Sequence, residues 1–323
     1  MLLFLHSLVI YITNFILVLS LRPVLRRFLS KEVYPYCAEI LCSFLMVANT
    51  HENGNVYGQY GVGPYSVCLF VLMMVYAAVA DTLNNPIVVF DRWWNKKMSS
   101  SDASLKIMAQ VIGALLAARY MKWMWKTIAL SEYQVARANY LSLTCDSANK
   151  VSLPEAMAVE LAAAAVLRIF ASFRVGGPSL EKYFNAAATI AVILAGLEWT
   201  GSMINPALAT AMTYNCENHP FYEHVLVYWV APFTGSILSD FIEDFLHGPG
   251  WRDKDQTIPG GQQAVTKTTR KRKTKKSTKA KKNNNREPVG SSQGKNGTGV
   301  SPKRRKRKDA NNNNSKRKTN VGV

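Results

Sequence analysis

The sequence lacks the residue patterns that most enzymes and metal proteins need. It has five cysteines, none at C-x-x-C spacing, and its five histidines show no pairing at positions i and i+4 of one helix. It contains no nucleophile elbow, no phosphate-binding glycine loop and no pair of acids suited to catalysis. We therefore predict that the chain is not an enzyme and holds neither a metal nor a cofactor.

An excess of positive charge is also missing from most of the chain. Residues 1–251 hold 16 Lys plus Arg and 17 acids, whereas residues 252–323 hold 23 and 4, which gives the net charge of +18. The segment 250–323 is too polar to pack, so we predict a disordered basic tail that is solvated or contacts anionic lipid. Residues 252–323 contain no aromatic residue that could stack on bases, so specific nucleic-acid binding is not expected.

Long apolar runs dominate the rest of the sequence. Each is close to the roughly 20 residues that a helix needs to cross a hydrocarbon core. A soluble helical bundle could also contain such runs, but their number favours an all-α membrane protein. The seven runs are residues 2–21, 34–50, 64–80, 103–124, 154–173, 184–200 and 222–246.

The first run could be a cleaved signal peptide, but its basic residues follow the apolar stretch instead of preceding it. An uncleaved helix fits this order better. By the positive-inside rule the basic cluster faces the cytoplasm, as does the tail, and Met1 and the loop at 51–63 lie on the other side. The sequons at Asn296 and Asn313 are then expected to stay unglycosylated. The cluster consists of Arg22, Arg26, Arg27 and Lys31.

The chain also repeats itself at an offset near 120 residues. Glu39 corresponds to Glu160 at an offset of 121, Asn85 to Asn205 at 120, and Gly113 to Gly235 at 122. Each half carries three full spans, so the second half enters the membrane from the opposite side. The expected organisation is an extra helix and loop (1–31), a repeat domain (32–249, with repeats at about 32–125 and 154–249) and the tail (250–323). The two glycines are expected at close helix contacts.

Each repeat contains one Asn-Pro dipeptide, at Asn85 and at Asn205. Asn at the N-cap and Pro at the first helical position are typical of a helix start, although the same dipeptide also marks turns between ordinary helices. The segments that follow are too short to span a bilayer, so we predict two re-entrant half helices. Their positive dipole ends would meet near the midplane, repel cations and offer two amides to a neutral solute.

These motifs resemble the aquaporin family over about residues 34–246. The resemblance implies a fold of 3+3 transmembrane helices with two half helices, here with an extra N-terminal helix, that forms a homotetramer among membrane lipids. It also implies passive passage of water and small neutral solutes. The motifs are the pore sequences Asn85-Pro86-Ile87 and Asn205-Pro206-Ala207, the glutamates of "AE" (38–39) and "VEL" (159–161), "AQVIGA" (109–114) and "VYWVAPFTG" (227–235).

Within that family the chain is similar to the superaquaporin branch, the aquaporin 11 and 12 group, through "ANTHENG" (48–54) and "ARYMKWMW" (118–125). This branch implies an intracellular membrane, notably the endoplasmic reticulum, and passage of water, glycerol or hydrogen peroxide. The family's selectivity constriction would contain Leu208 instead of an arginine, and Ile193 or a neighbour instead of a histidine. Ser202 and Tyr65 complete it. The expected filter is therefore apolar, and Ile87 is expected to spread the half helices.

Three further expectations concern single residues and the role of the tail. Glu39 and Glu160 are intramembrane acids that either support the half helices or contact a substrate or proton. Cys145 and Cys216 lie in the non-cytoplasmic loops, where a disulfide between them is allowed. The alternative function is a non-conducting membrane scaffold that acts through its basic tail, by binding anionic lipid or protein.

Overall fold

The regular elements of the described chain are helices. The computed structural model describes residues 2–79, 81–127, 147–173, 175, 177–214, 216 and 219–248, and no strand occurs among them. The predicted tail at 250–323 lies outside these residues. Within the described ranges, seven helices have the length of a span and two are short. The long ones are α1 (Leu2–Phe28), α2 (Tyr34–Tyr60), α3 (Val62–Val79), α5 (Ser100–Thr127), α6 (Leu153–Ser172), α7 (Pro178–Thr200) and α9 (Phe221–His247, with a π-helical turn at Leu226–Val230), and the short ones are α4 (Pro86–Trp94) and α8 (Pro206–Thr213).

All seven apolar runs of the sequence are therefore helical, as predicted. Among the described residues, five helices are both long and apolar enough to cross a membrane, namely α1, α3, α5, α7 and α9. The other two, α2 and α6, carry buried polar side chains, among them Glu39 and Glu160. These groups lower the hydropathy of the two helices without exposing charge to lipid.

The predicted loop at 51–63 is wrong, because α2 continues to Tyr60 and turns directly into α3 at Gly61, whose φ is +78°. The stretch looks like a loop because it is polar and rich in Asn and Gly. Its polar side chains are instead buried: Glu52 is 0 % exposed and Asn53 is 1 % exposed. A buried polar group is tolerated when it is hydrogen-bonded, and here α1 and α5 supply the partners.

The extra helix α1 docks on α2 through a stripe of three polar residues. Ser7, Tyr11 and Asn14 follow one another at intervals of four and three residues, so they share one helix face. Polar side chains inside a membrane pair across helices because lipid offers them no hydrogen bonds. Helix α1 is thus part of the packed helical domain. The bonds run from Ser7 Oγ to Glu52 Oε1 (2.7 Å), from Tyr11 Oη to Asn53 Oδ1 (3.1 Å) and from Asn14 Nδ2 to Asn49 Oδ1 (2.8 Å).

The two repeats have the same architecture, with two long helices, one short helix and a third long helix. Helix α5 packs on α2 at Gly113, where an added Cβ would lie 2.2 Å from the carbonyl oxygen of Ile40. Helix α9 packs on α6 at Gly235, where it would lie 2.3 Å from the carbonyl oxygen of Leu161. Ile40 and Leu161 are themselves 121 residues apart. The predicted close contacts at both glycines are confirmed, and so is the repeated helical fold.

Candidate functional site: two Asn-Pro half helices

Both short helices begin at an asparagine that caps its own first turn. Asn85 is extended, and its Oδ1 accepts a hydrogen bond from the backbone N–H of Ile87 at 2.9 Å. Asn205 is also extended, and its Oδ1 accepts from the N–H of Ala207 at 3.0 Å and of Leu208 at 3.3 Å. A proline follows each cap at the first helical position, where its missing N–H removes no helical bond.

The two caps bind each other's loops. Asn85 Nδ2 donates to the carbonyl oxygen of Ile204 at 2.9 Å, and Asn205 Nδ2 donates to the carbonyl oxygen of Asn84 at 3.0 Å. The N-terminal ends of α4 and α8 therefore meet, and their dipoles place positive potential at the same point. Ile87 does not separate the two loops; its side chain packs in a cluster with Ala163, Ala164 and Ile204.

The residue before each cap has an unusual backbone conformation. Asn84 has φ +51° and Ile204 has φ +48°. Asparagine tolerates this left-handed region, whereas a β-branched isoleucine is strained there, at a typical cost of about 1–3 kcal/mol. Such a conformation persists only where the surroundings hold it. In this chain two buried carboxylates do so.

Glu39 and Glu160 each accept two consecutive backbone N–H groups from these loops. Glu39 Oε1 accepts from Leu83 N and Oε2 from Asn84 N, both at 3.0 Å. In the second repeat the oxygens of Glu160 accept from Met203 N and Ile204 N, again at 3.0 Å. Both carboxylates are almost fully buried. In the structure, therefore, they bind the loops that carry the two caps.

The surroundings of the two glutamates differ, and sequence reasoning missed this. Glu160 accepts a third bond from Thr200 Oγ1 at 2.7 Å. Glu39 instead accepts from Gln110 Nε2 at 2.8 Å and lies 3.6 Å from Lys106 Nζ, an ion pair whose side chains are 1 % and 7 % exposed. The available signal was the spacing of Lys106 and Gln110, which are four residues apart on one face of α5.

A second charged cluster, also missed, holds α4 against the second repeat. Arg168 on α6 donates from Nε to Asp91 Oδ1 at 3.1 Å and lies 3.6 Å from Asp240 Oδ1 on α9. Asn95 Nδ2 bridges the two acids, at 3.0 Å from Asp91 Oδ1 and 3.1 Å from Asp240 Oδ2. At the offset of 121 residues, Asp91 corresponds to Met212 and Arg168 to Val47, so the ion pair between Arg168 and Asp91 is not repeated at α8.

The four residues expected at the constriction contact different neighbours. Leu208, 9 % exposed, belongs to a cluster with residues of α1, α2 and α5. Ile193 packs with the cluster that contains Ile87, and Ser202 Oγ donates to the adjacent carbonyl of Val192 at 3.2 Å. Tyr65 packs edge-on against Tyr57, with ring centroids 5.4 Å apart. Ser202 and Ile193 are thus neighbours, whereas Leu208 and Tyr65 pack against other residues.

The region between α8 and α9 contains a disulfide and a buried histidine. Cys216 is disulfide-bonded, while its expected partner Cys145 lies outside the described residues. The nearby His219 is 5 % exposed, and its Nδ1 lies 3.1 Å from Ser147 Oγ. Burial lowers the pKa of His219 below its ordinary value, since desolvation disfavours the charged imidazolium. The histidine is therefore expected to be neutral at pH 7.

Two repeats of three long helices, with paired half helices that meet at their N-termini, define an aquaporin-like membrane channel. The family model for the major intrinsic proteins matches residues 18–243 of the chain. The chain therefore belongs to the major intrinsic protein family. Members of this family are channels, not enzymes, and the chain is accordingly an integral membrane protein of the channel class.

Relatives and solved structures agree with this assignment. The chain is 26 % identical to aquaporin-11 of Equus caballus over 209 residues, which cover 64 % of the chain and 75 % of that relative. It is 24 % identical to aquaporin-11 of Homo sapiens over 242 residues, 73 % and 87 % of the two chains. The aquaglyceroporin of Plasmodium falciparum superposes with a TM-score of 0.51 at 16 % identity, covering 65 % of this chain and 94 % of that one. The resemblance to the superaquaporin branch is thereby confirmed, and so is the fold.

Proposed function

We propose that the chain passes water and small neutral solutes, with glycerol and hydrogen peroxide among them, between the paired half helices. The observation that carries the proposal is the reciprocal binding of Asn85 and Asn205 to each other's loops. It brings two helix N-termini together, and their positive ends disfavour cations while amide groups can bind a neutral solute. Glu39 and Glu160 support the half helices in this proposal and take no part in proton transfer.

The selectivity that we propose follows from an apolar constriction. Leu208 occupies the position where the family's arginine would lie, and Ile193, Ser202 and Tyr65 supply no charge either. A water molecule that enters an apolar passage loses hydrogen bonds that the wall does not replace, so water flow is slow. A solute with some apolar surface loses fewer hydrogen bonds for its size when it enters the same passage. The proposed channel therefore discriminates weakly between water and somewhat larger neutral molecules.

The remaining parts of the proposal concern assembly, location and the tail. We propose a homotetramer in the endoplasmic reticulum or another intracellular membrane, as the resemblance to the superaquaporin branch implies. The tail, with its 23 Lys and Arg among residues 252–323, would bind anionic lipid headgroups. The rival function is a non-conducting scaffold that needs only this tail. Deletion of residues 252–323 separates the two, since a pore survives the deletion and a scaffold does not.

The direct test is a permeability measurement on proteoliposomes by stopped-flow light scattering, with a fluorescent indicator for peroxide. Asn205→Asp keeps the cap acceptor, but it removes the donor to Asn84 and adds a negative charge at the midplane. Its water and glycerol permeabilities are expected to fall towards those of empty vesicles. Asn149→Asp is the matched control, because Asn149 Oδ1 also accepts a backbone N–H, from Val151 at 3.3 Å, away from the half helices. Wild-type protein no more permeable than empty vesicles to all three solutes would refute the proposal.

A further inference from the structure

One face of α2 contacts both loops that precede the half helices. Glu39, Ser43 and Met46 lie at positions i, i+4 and i+7 of this helix, so they share that face. Glu39 binds the first loop through backbone N–H groups, and Ser43 Oγ donates to Asn84 Oδ1 at 2.9 Å. Met46 contacts the second cap: its Sδ lies 3.5 Å from Asn205 Nδ2. The half-buried thioether therefore sits next to one of the two amides at the centre of the proposed pore.

Both hydrogens of the Asn205 amide have acceptors. The orientation of the amide is fixed, because Oδ1 accepts the N–H groups of Ala207 and Leu208 and Nδ2 must then face the other way. An amide nitrogen carries two hydrogens. Its two acceptors are the carbonyl oxygen of Asn84 at 3.0 Å and the sulfur of Met46 at 3.5 Å. A thioether is a weak acceptor, but it occupies the place that a solute would otherwise take.

The amide of Asn85 has no such second acceptor. Its Nδ2 donates to the carbonyl oxygen of Ile204, and no other acceptor for it is found in the described part of the chain. The repeat explains the difference. Met46 corresponds to Leu167 at the same offset of 121 that relates Glu39 to Glu160. Leu167 packs in the cluster of Ile87 and Ile204 and has no atom that can accept a hydrogen bond.

We propose that Met46 is a specificity-determining residue, which rests on the proposed function. Its thioether binds the second N–H of Asn205, so that, of the two cap amides, Asn85 alone keeps an N–H without an acceptor among the described residues. A water molecule beside the two caps gains one strong hydrogen bond from them instead of two. The missing hydrogen bond costs water more stabilisation than it costs glycerol, because glycerol also has apolar surface that can contact the pore wall. Met46 thus lowers the permeability to water more than the permeability to glycerol.

The test compares wild-type protein with Met46→Leu, Met46→Gln and the reverse change Leu167→Met in proteoliposomes. Met46→Leu frees the Asn205 donor and is expected to raise water permeability by about two- to fivefold, the factor that a weak net hydrogen bond represents. The ratio of water to glycerol permeability is expected to rise with it. Met46→Gln supplies a stronger acceptor, so the water permeability and the ratio of water to glycerol permeability are expected to stay at or below those of the wild type. Leu167→Met supplies an acceptor near Asn85 and lowers the ratio.

The matched control is Met124→Leu, since Met124 packs against the same apolar cluster as Met46 and, among the described residues, makes no hydrogen bond with either cap. It is expected to leave both permeabilities unchanged. If Met46→Leu and Met46→Gln shift the ratio in the same direction, or if neither shifts it, the inference is overturned while the channel stands. Should Met46→Leu fail to fold, Leu167→Met decides alone, and an unchanged ratio overturns the inference. Absence of conduction by the wild type overturns the proposed function and this inference together.

Discussion

The unequal surroundings of the two buried glutamates predict unequal effects of the same substitution. In Glu160→Gln, an amide NH₂ replaces one acceptor oxygen, so one backbone N–H loses its partner, at about 1–3 kcal/mol. Glu39→Gln has the same defect and also leaves Lys106 without its counter-charge. At the observed separation of 3.6 Å and an effective dielectric of about 20, the attraction lost is about 4–5 kcal/mol before solvation is counted. We expect Glu39→Gln to cost about 3–5 kcal/mol, clearly more than Glu160→Gln.

Lys106→Met isolates this charge effect, because methionine keeps the aliphatic part of the side chain and removes the ammonium group. The double variant Glu39→Gln with Lys106→Met is expected to be more stable than the sum of the single effects, with a coupling of about 2–3 kcal/mol. The coupling is smaller than the bare attraction because Lys106, near the start of α5, can extend towards the interface.

The assay is reversible denaturant unfolding in detergent micelles, followed by tryptophan fluorescence and analysed as a double-mutant cycle. Two results refute the reasoning. One is a coupling below about 0.5 kcal/mol, the size of an exposed ion pair. The other is an equal loss of stability in Glu39→Gln and Glu160→Gln, which would mean that Lys106 contributes nothing to the difference between the repeats.

Three further predictions can be checked on the same purified protein. Gly235→Ala places a Cβ 2.3 Å from a carbonyl oxygen of α6 and should lower the free energy of unfolding by about 1–3 kcal/mol or more. Gly58→Ala is the control, because a Cβ at that position has no neighbour within 4 Å and should not lower the free energy of unfolding. Equal effects of the two substitutions would contradict the close contact at Gly235. The pKa of His219 is lowered on folding, so its contribution to the free energy of unfolding should be fully present above about pH 6.5 and should be lost as the pH falls below that value. His219→Gln should make the free energy of unfolding depend less on pH in this range. Non-reducing peptide mass spectrometry should find Cys216 linked to Cys145, and Cys216→Ser should cost about 2–4 kcal/mol; a different partner would refute the predicted pair.

Local chemistry fixes the features that the sequence predicted correctly. Apolar runs of spanning length become helices because a helix satisfies its own backbone groups in lipid. An Asn-Pro dipeptide begins a helix through bonds made within three residues, so α4 and α8 could be located from the sequence. The repeat offset placed Glu39 opposite Glu160 and Gly113 opposite Gly235. The error at 51–63 has a related cause, since Asn and Gly indicate a loop only while their surroundings are unknown.

Only the tertiary structure decided how the polar groups of distant helices combine. Lys106 reaches Glu39 from α5, Arg168 joins Asp91 to Asp240 across three helices, and Met46 reaches Asn205 across 159 residues of sequence. The net effect of a buried charge or donor depends on whether a partner lies within about 4 Å, and the sequence pattern of one helix carries no information on that distance. The sequence by itself determined two similar halves, and helix packing determined how their centres differ.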